Sequence, residues 1–243
     1  MSGAPGPVAS LPMYDWPEVR GATDALWAAL RDELRARGIA APEALSRDAT
    51  HWTDPALALS QTCGMPYRLG LHARVTLIGA PDYGLEDCPP GFYRSALVVR
   101  RDDPREGIAA FAGARFAFNA ADSQSGFAAL AGALGPLDPG RGVETGAHRA
   151  SIGAVAAGRA EIAAIDAVAW RLAQVHEPAA ARLRVLAWTT PTPGLPLVTA
   201  GGRDPAPCRA AVSEAVAALD GGTRAALGIA GFVALEPGAY MAA

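Results

Sequence analysis

The sequence predicts an α/β protein built as two lobes, and three observations carry that prediction. Strand-like runs alternate with helical runs from Val8 onward, the pattern of βαβ units. A charge cluster, Arg101-Asp102-Asp103-Pro104-Arg105, breaks the most β-prone run in the chain, and a proline-rich joint from Pro191 to Pro196 breaks another. Both breaks read as crossings, so that residues 1–100 and 191–243 form lobe one and residues 101–190 form lobe two.

Taken in order, Val8 to Met13 reads as a strand that delivers Tyr14 and Trp16 to its C-terminal end. Asp15 followed by Pro17 and Glu18 makes a capping box for a helix whose stripe is Leu26, Leu30 and Leu34 and whose stop is Gly38. Ligands in open α/β sheets sit just beyond strand C-termini, which makes Tyr14 a pocket candidate as much as a packing residue. A short strand is expected near Glu43 to Ser46. Trp52 lies in the next segment, and a loop of small polar residues, Thr62-Cys63-Gly64-Met65-Pro66, ends at Tyr67, whose hydroxyl either meets a ligand or covers the sheet. Val75 to Gly79 and Phe92 to Arg100 read as strands. Beyond the charge cluster come a strand at Arg115 to Asn119 and an Ala/Leu-rich helix from Phe127 to Leu134, stopped by Gly135-Pro136. His148 opens a small-residue helix after a glycine, Asp166 closes the strand Glu161 to Ile165 and precedes another helix, and Leu183 to Thr190 is a strand carrying Trp188. Leu197 to Ala200 resumes as a strand, and the helix Pro205 to Leu219 follows it.

Composition excludes several chemistries. The chain has 243 residues, 51% hydrophobic and 19% charged, with a net charge of −3, so it has no basic field for nucleic acid. All 21 basic residues are arginine, which removes Schiff-base chemistry, lysine-anchored pyridoxal phosphate and a Walker A lysine. Cys63, Cys88 and Cys208 are too scattered for a zinc or redox motif and read as buried thiols, with a Cys63–Cys88 bridge left open. No cofactor and no metal is expected. The first seven residues lack the basic and apolar regions of a leader, and no run is long enough to span a membrane. A cytoplasmic location follows as the expectation, or a periplasmic one if a leader has been trimmed.

The stretch Arg115 to Leu134 carries the most chemistry. Between its strand and its helix lies Asp122-Ser123-Gln124-Ser125-Gly126, where hydroxyls, backbone N–H groups and the positive end of a helix dipole meet. These are the parts of an oxyanion cradle, and also of an ordinary N-cap. His148 and Asp166 each stand at a further helix start, where a capping role and a ligand role use the same geometry.

Phe116-Ala117-Phe118-Asn119 with Asp122 to Gly126, the run Tyr93 to Val99, Gly146-Ala147-His148 before a helix, and the segment Gly158 to Asp166 together resemble the phosphate, phosphite and phosphonate-binding subunits of ABC importers. The resemblance covers nearly the whole chain. It implies the type II periplasmic-binding-protein fold, in which two lobes, each a mixed sheet flanked by helices, are joined by two hinge strands. It also implies a ligand site of Tyr14 and Tyr67 from lobe one and Ser123, Gln124, Ser125, Gly126, His148 and Asp166 from lobe two. Gln124 departs from the hydroxyl residue usual at its place. Trp16, Trp52 and Trp188 add aromatic surface, which suits an anion with an organic body.

The expected function is a solute-binding protein that closes its lobes over a small anionic ligand without chemistry, with an importer's membrane subunit as partner if the protein is exported. One alternative is a cytoplasmic enzyme on the same fold, resembling menaquinone-pathway dehydratases, with His148 or Asp166 as acid or base. Another is an effector-sensing module of the kind found in LysR-type regulators, which would need a separate DNA-binding partner.

Overall fold

The computed structural model describes residues 6–48 and 50–242. Residues 1–5, on which the reading of the N-terminus partly rests, lie outside the described residues. Strand β1 (Val8–Ser10) is followed by a 3-10 turn, Pro17–Val19, that leads into α1 (Arg20–Ala36). Thr23, Trp27, Leu30 and Leu34 recur every three or four residues and put one face of α1 into the core. The expected Asp15 capping box does not form, because the intervening turn moves the helix start to Arg20. Asp15 instead pairs with Arg47 at 2.8 Å and Arg20 at 3.4 Å.

No strand forms at Glu43 to Ser46. Ser46 N–H reaches Ala9 O at 2.8 Å, a single bridge rather than a ladder, and Arg31 and Arg35 hold the Glu43 carboxylate at the surface at 3.1 and 2.8 Å. β2 (Leu57–Gln61) is buried along its whole length although it ends in Ser-Gln, and a 2.7 Å hydrogen bond between the Ser60 and Ser10 hydroxyls satisfies part of that polarity.

The chain continues through α2 (Gly64–Leu69), β3 (Val75–Asp82), β4 (Phe92–Tyr93), β5 (Ser95–Arg100) and β6 (Phe116–Phe118). A π turn at Gln124–Ala128 then runs into α3 (Ala129–Leu134). β7 (Val143–Glu144), α4 (His148–Ala156), β8 (Ile162–Asp166), α5 (Ala167–His176) and β9 (Leu183–Trp188) follow. β10 (Thr192–Pro193), β11 (Leu197–Ala200), α6 (Pro205–Ala218), α7 (Gly221–Leu227), β12 (Gly231–Val233) and α8 (Pro237–Met241) complete it.

Two compact units result, Met1–Phe92 with Pro193–Ala243, and Tyr93–Thr192. In the first, the sheet order is β1-β2-β11-β3-β12, with β1 parallel to β2, β11 antiparallel to β2 and β3, and β12 antiparallel to β3. Trp27, Leu30 and Leu34 of α1 meet Cys208, Val212 and Val216 of α6 over Leu59 and Ile78 of the sheet. A second cluster packs Tyr67 and Tyr240 with Leu57, Val75, Leu77 and Val198.

In the second unit the order is β7-β6-β8-β5-β9, again a mixed sheet, over a core of Leu97, Val99, Phe111, Phe116, Phe118 and Leu130. β5 belongs to this unit, where it pairs antiparallel with β8 from Ser95↔Asp166 to Val99↔Ile162. The chain therefore enters the second unit ahead of β5, not at the charge cluster after it. Asp103 and Arg105 of that cluster form an ion network with Glu161, at 2.6 and 2.9 Å from the Arg105 guanidinium. Glu161 thus serves this network.

Candidate functional site

Topology gathers one set of polar residues at a single edge of the second unit's sheet. β6, β7 and β8 are mutually parallel, and β9 runs with them because β8 and β9 are both antiparallel to β5. The C-terminal ends of four strands thus meet the start of β5. That edge carries Ser123 to Gly126 after β6, His148 after β7, Asp166 at the end of β8, Ser95 at the start of β5 and Trp188 at the end of β9.

Ser123 caps the π turn, its Oγ accepting the Gly126 N–H at 3.0 Å, and its carbonyl accepts the Ala128 N–H at 3.0 Å. Ser123 and Ser125 are each 4% exposed. Ser125 Oγ lies 2.9 Å from His148 Nε2, which joins the mouth of the π turn and α3 to the mouth of α4. No side chain caps α4, so the first N–H groups of that helix lack the partner a capping residue supplies. Gly126 sits in a tight place: a Cβ there would make the Asn119 side chain move, with Ser123 Oγ 3.1 Å away.

Burial holds the His148 imidazole down at about 4, against a smaller opposing pull from the Ala164 carbonyl, so the ring is neutral at pH 7. Its buried Nδ1 has no hydrogen-bond partner of good geometry. Asp166 is 1% exposed, and its Oδ1 accepts the Val168 and Ala169 N–H groups at 2.7 and 3.2 Å, which makes it the cap of α5. Gln124, half-buried, starts the π turn.

Ser95 and Thr145, not singled out in the sequence, complete the framework. Ser95 Oγ donates to Ser125 O at 2.9 Å, while Thr145 Oγ1 is 2.7 Å from Ser151 Oγ and 2.9 Å from Phe118 O. The signal for Ser95 was a hydroxyl heading an otherwise apolar strand. Thr145 had no such signal.

The remaining candidates do not share this edge, Trp188 excepted. Trp188 is 40% exposed and the Arg94 guanidinium sits 4.5 Å above its ring. In the first unit, Tyr14 packs edge-on against Tyr83 at 5.2 Å and lines a cavity. Tyr67 is 2% exposed and packs against Tyr240 at 5.1 Å, and burial pushes its phenol up, so of its two roles it takes the covering one. Trp52 Nε1 donates to Gln61 O at 3.1 Å, and Trp16 precedes the Pro17–Val19 turn. Among the described residues no group of His, Cys, Asp and Glu is placed to hold a metal ion, and no helix is long and apolar enough to cross a membrane.

The geometry offers hydroxyls, helix-start N–H groups and a neutral imidazole within one cluster. Such a set favours an anion through oriented dipoles without a formal positive charge. A serine beside a histidine is also the beginning of a nucleophile–base pair, but no carboxylate orients Nδ1 as a triad requires.

No curated protein sequence matches the chain. Among solved structures, PhnD1 from Prochlorococcus marinus in complex with methylphosphonate is similar with a TM-score of 0.71 at 16% identity, covering 98% of this chain and 95% of that one. A binding protein component of an ABC phosphonate transporter from Pseudomonas aeruginosa gives 0.69 at 14% identity, covering 98% and 84%. XAC2383 from Xanthomonas citri bound to ATP gives 0.68 at 17% identity, covering 97% and 93%. These likenesses establish the two-lobed periplasmic-binding-protein fold. The sequence family described as "ABC transporter, phosphonate, periplasmic substrate-binding protein" matches residues 59–240, most of the chain, and the protein belongs to that family.

Proposed function

We propose that this substrate-binding protein takes a small oxyanion with an organic body, a phosphonate or phosphate ester, and holds its anionic head at the second unit's sheet edge. The observation that carries the reading is the 2.9 Å contact between Ser125 Oγ and His148 Nε2, which brings two helix starts to one point. The tautomer of the neutral imidazole sets which of Nε2 and Ser125 Oγ donates, and in the Nε2–H tautomer the Ser125 hydroxyl proton is left for the ligand. Ser123, Gln124 and Gly126 position the π turn around it. Trp188 borders the edge as a platform for the organic part, and Asp166 supports the site by capping α5.

Binding without chemistry is supported by the commitment of Asp166 Oδ1 to its cap and by the lack, among the described residues, of a carboxylate hydrogen-bonded to His148 Nδ1. The family's description supports work in the periplasm beside an importer's membrane subunit. A thermal-shift panel of phosphonates, phosphate esters, sulfonates and carboxylates tests the reading. A ligand at a hundredfold excess over Kd adds about 2.7 kcal/mol of stability. Silence across the panel would sink the proposal.

A further inference from the structure

The second unit's sheet edge gathers hydroxyls, helix-start N–H groups and a neutral imidazole, and a formal positive charge stands beside them. Arg94 is half-buried and immediately precedes β5, and its guanidinium lies 4.5 Å over the Trp188 ring. A cation over an indole is attracted by the ring's quadrupole, which restrains a side chain that otherwise samples many rotamers. The backbone around the pair is tied down as well. Arg94 O accepts the Ala167 N–H at 3.0 Å, at the start of α5. The next residue, Ser95, donates its N–H to Thr189 Oγ1 at 2.9 Å and accepts the Thr189 N–H at 3.0 Å, while its Oγ reaches Ser125 O at 2.9 Å. Arg94 and Trp188 are thus each one residue along the chain from the Ser95–Thr189 pair that anchors the π turn. Arg149, which follows His148 in α4, is engaged by the Glu177 carboxylate at 2.8 Å.

We infer that the stacked Arg94–Trp188 pair is the specificity element of this site, and that it selects phosphonates whose short organic body ends in a carboxylate. The inference rests on the reading that this edge holds the solute's anionic head and Trp188 its organic part. The ring, 40% exposed, carries the body, and the guanidinium at its face meets the terminal group. A planar fork of N–H donors matches a carboxylate in charge and shape. A body ending in an ammonium meets a like charge there and is disfavoured. A neutral alkyl body gains contact with the ring alone.

Isothermal titration with methylphosphonate, propylphosphonate, 3-phosphonopropionate and 2-aminoethylphosphonate tests it, using the wild type, Arg94→Gln and Arg94→Lys. The last three ligands are similar in length and differ in the charge of the terminal group. In the wild type 3-phosphonopropionate should bind about tenfold tighter than propylphosphonate, the low end of what a charge-assisted hydrogen bond supplies. 2-Aminoethylphosphonate should bind more weakly than propylphosphonate. Arg94→Gln should bring the three affinities together. Arg94→Lys keeps the charge without the fork, so it should keep the order and narrow the spread, and it carries the test if the glutamine variant fails to fold. A wild type that binds 3-phosphonopropionate no better than propylphosphonate overturns the inference, as does a preference that survives in full in either variant. Methylphosphonate binding in the same wild-type series then shows that the anion reading stands. If the wild type binds none of the four, the anion reading fails and this inference falls with it.

Discussion

Acidification should weaken the second unit through His148 in a window fixed by its burial. The imidazole titrates at about 4 in the folded chain and near 6.5 when unfolded. Between those values the unfolded chain binds the proton and the folded chain does not, so stability falls as pH is lowered from 6.5 towards 4. The contribution of this one group is complete above pH 7, is reduced by about 2 kcal/mol at pH 5, and is lost by about 3 kcal/mol below pH 4. Urea unfolding of the wild type and His148→Gln between pH 8 and 4.5 isolates it, since other titrating groups act in both proteins and cancel in the difference. The variant should lose the extra slope. NMR titration of the ring reads the same quantity directly. A His148 ring that titrates near 6.5, or two proteins with parallel pH profiles, would refute the argument that the helix mouth desolvates this imidazole.

Further predictions follow from contacts elsewhere in the fold. Gly126→Ala drives a methyl into Asn119 Oδ1 and should cost about 1–3 kcal/mol by overpacking, with loss of ligand-induced thermal shift. Asp103→Asn should destabilise the second unit by about 1–3 kcal/mol, because the Arg105 guanidinium holds the Asp103 carboxyl down at about 2 and the carboxylate is 8% exposed. That interaction is present above pH 4 and disappears as pH falls towards 2, so wild type and Asp103→Asn should converge in acid. Tyr240→Phe removes the 2.8 Å bond to Gly194 O and should cost about 1 kcal/mol in thermal unfolding.

Local signals carried much of the fold into view from the residues alone. Strand β11 was read at Leu197–Ala200, its observed bounds, because prolines isolate it, and α6 was legible from Pro205 at its first turn. Ser123 was legible as a cap because it is a hydroxyl residue just ahead of a helical run. The sites that escaped depend on tertiary pairing. Ser125 and His148 are 23 residues apart and meet only because β6 and β7 pair in parallel. Ser60 and Gln61 are polar yet end a fully buried strand, so their residue types gave no sign of β2. Tyr67 followed a loop-like run, yet α2 turns its ring into the core. β5 was assigned to the wrong unit because a charge cluster resembles a domain boundary, whereas its ladder with β8 decides its place.

The most direct test of the central claim is calorimetric titration of methylphosphonate into the wild type and Ser125→Ala. Removing a hydroxyl that donates to an anionic head is worth about 2 kcal/mol. Saturable binding to the wild type and roughly thirtyfold weaker binding to the variant are expected, with both proteins folded by circular dichroism. Equal affinity in the two would contradict it, since the Ser125–His148 junction would then have no part in holding the solute.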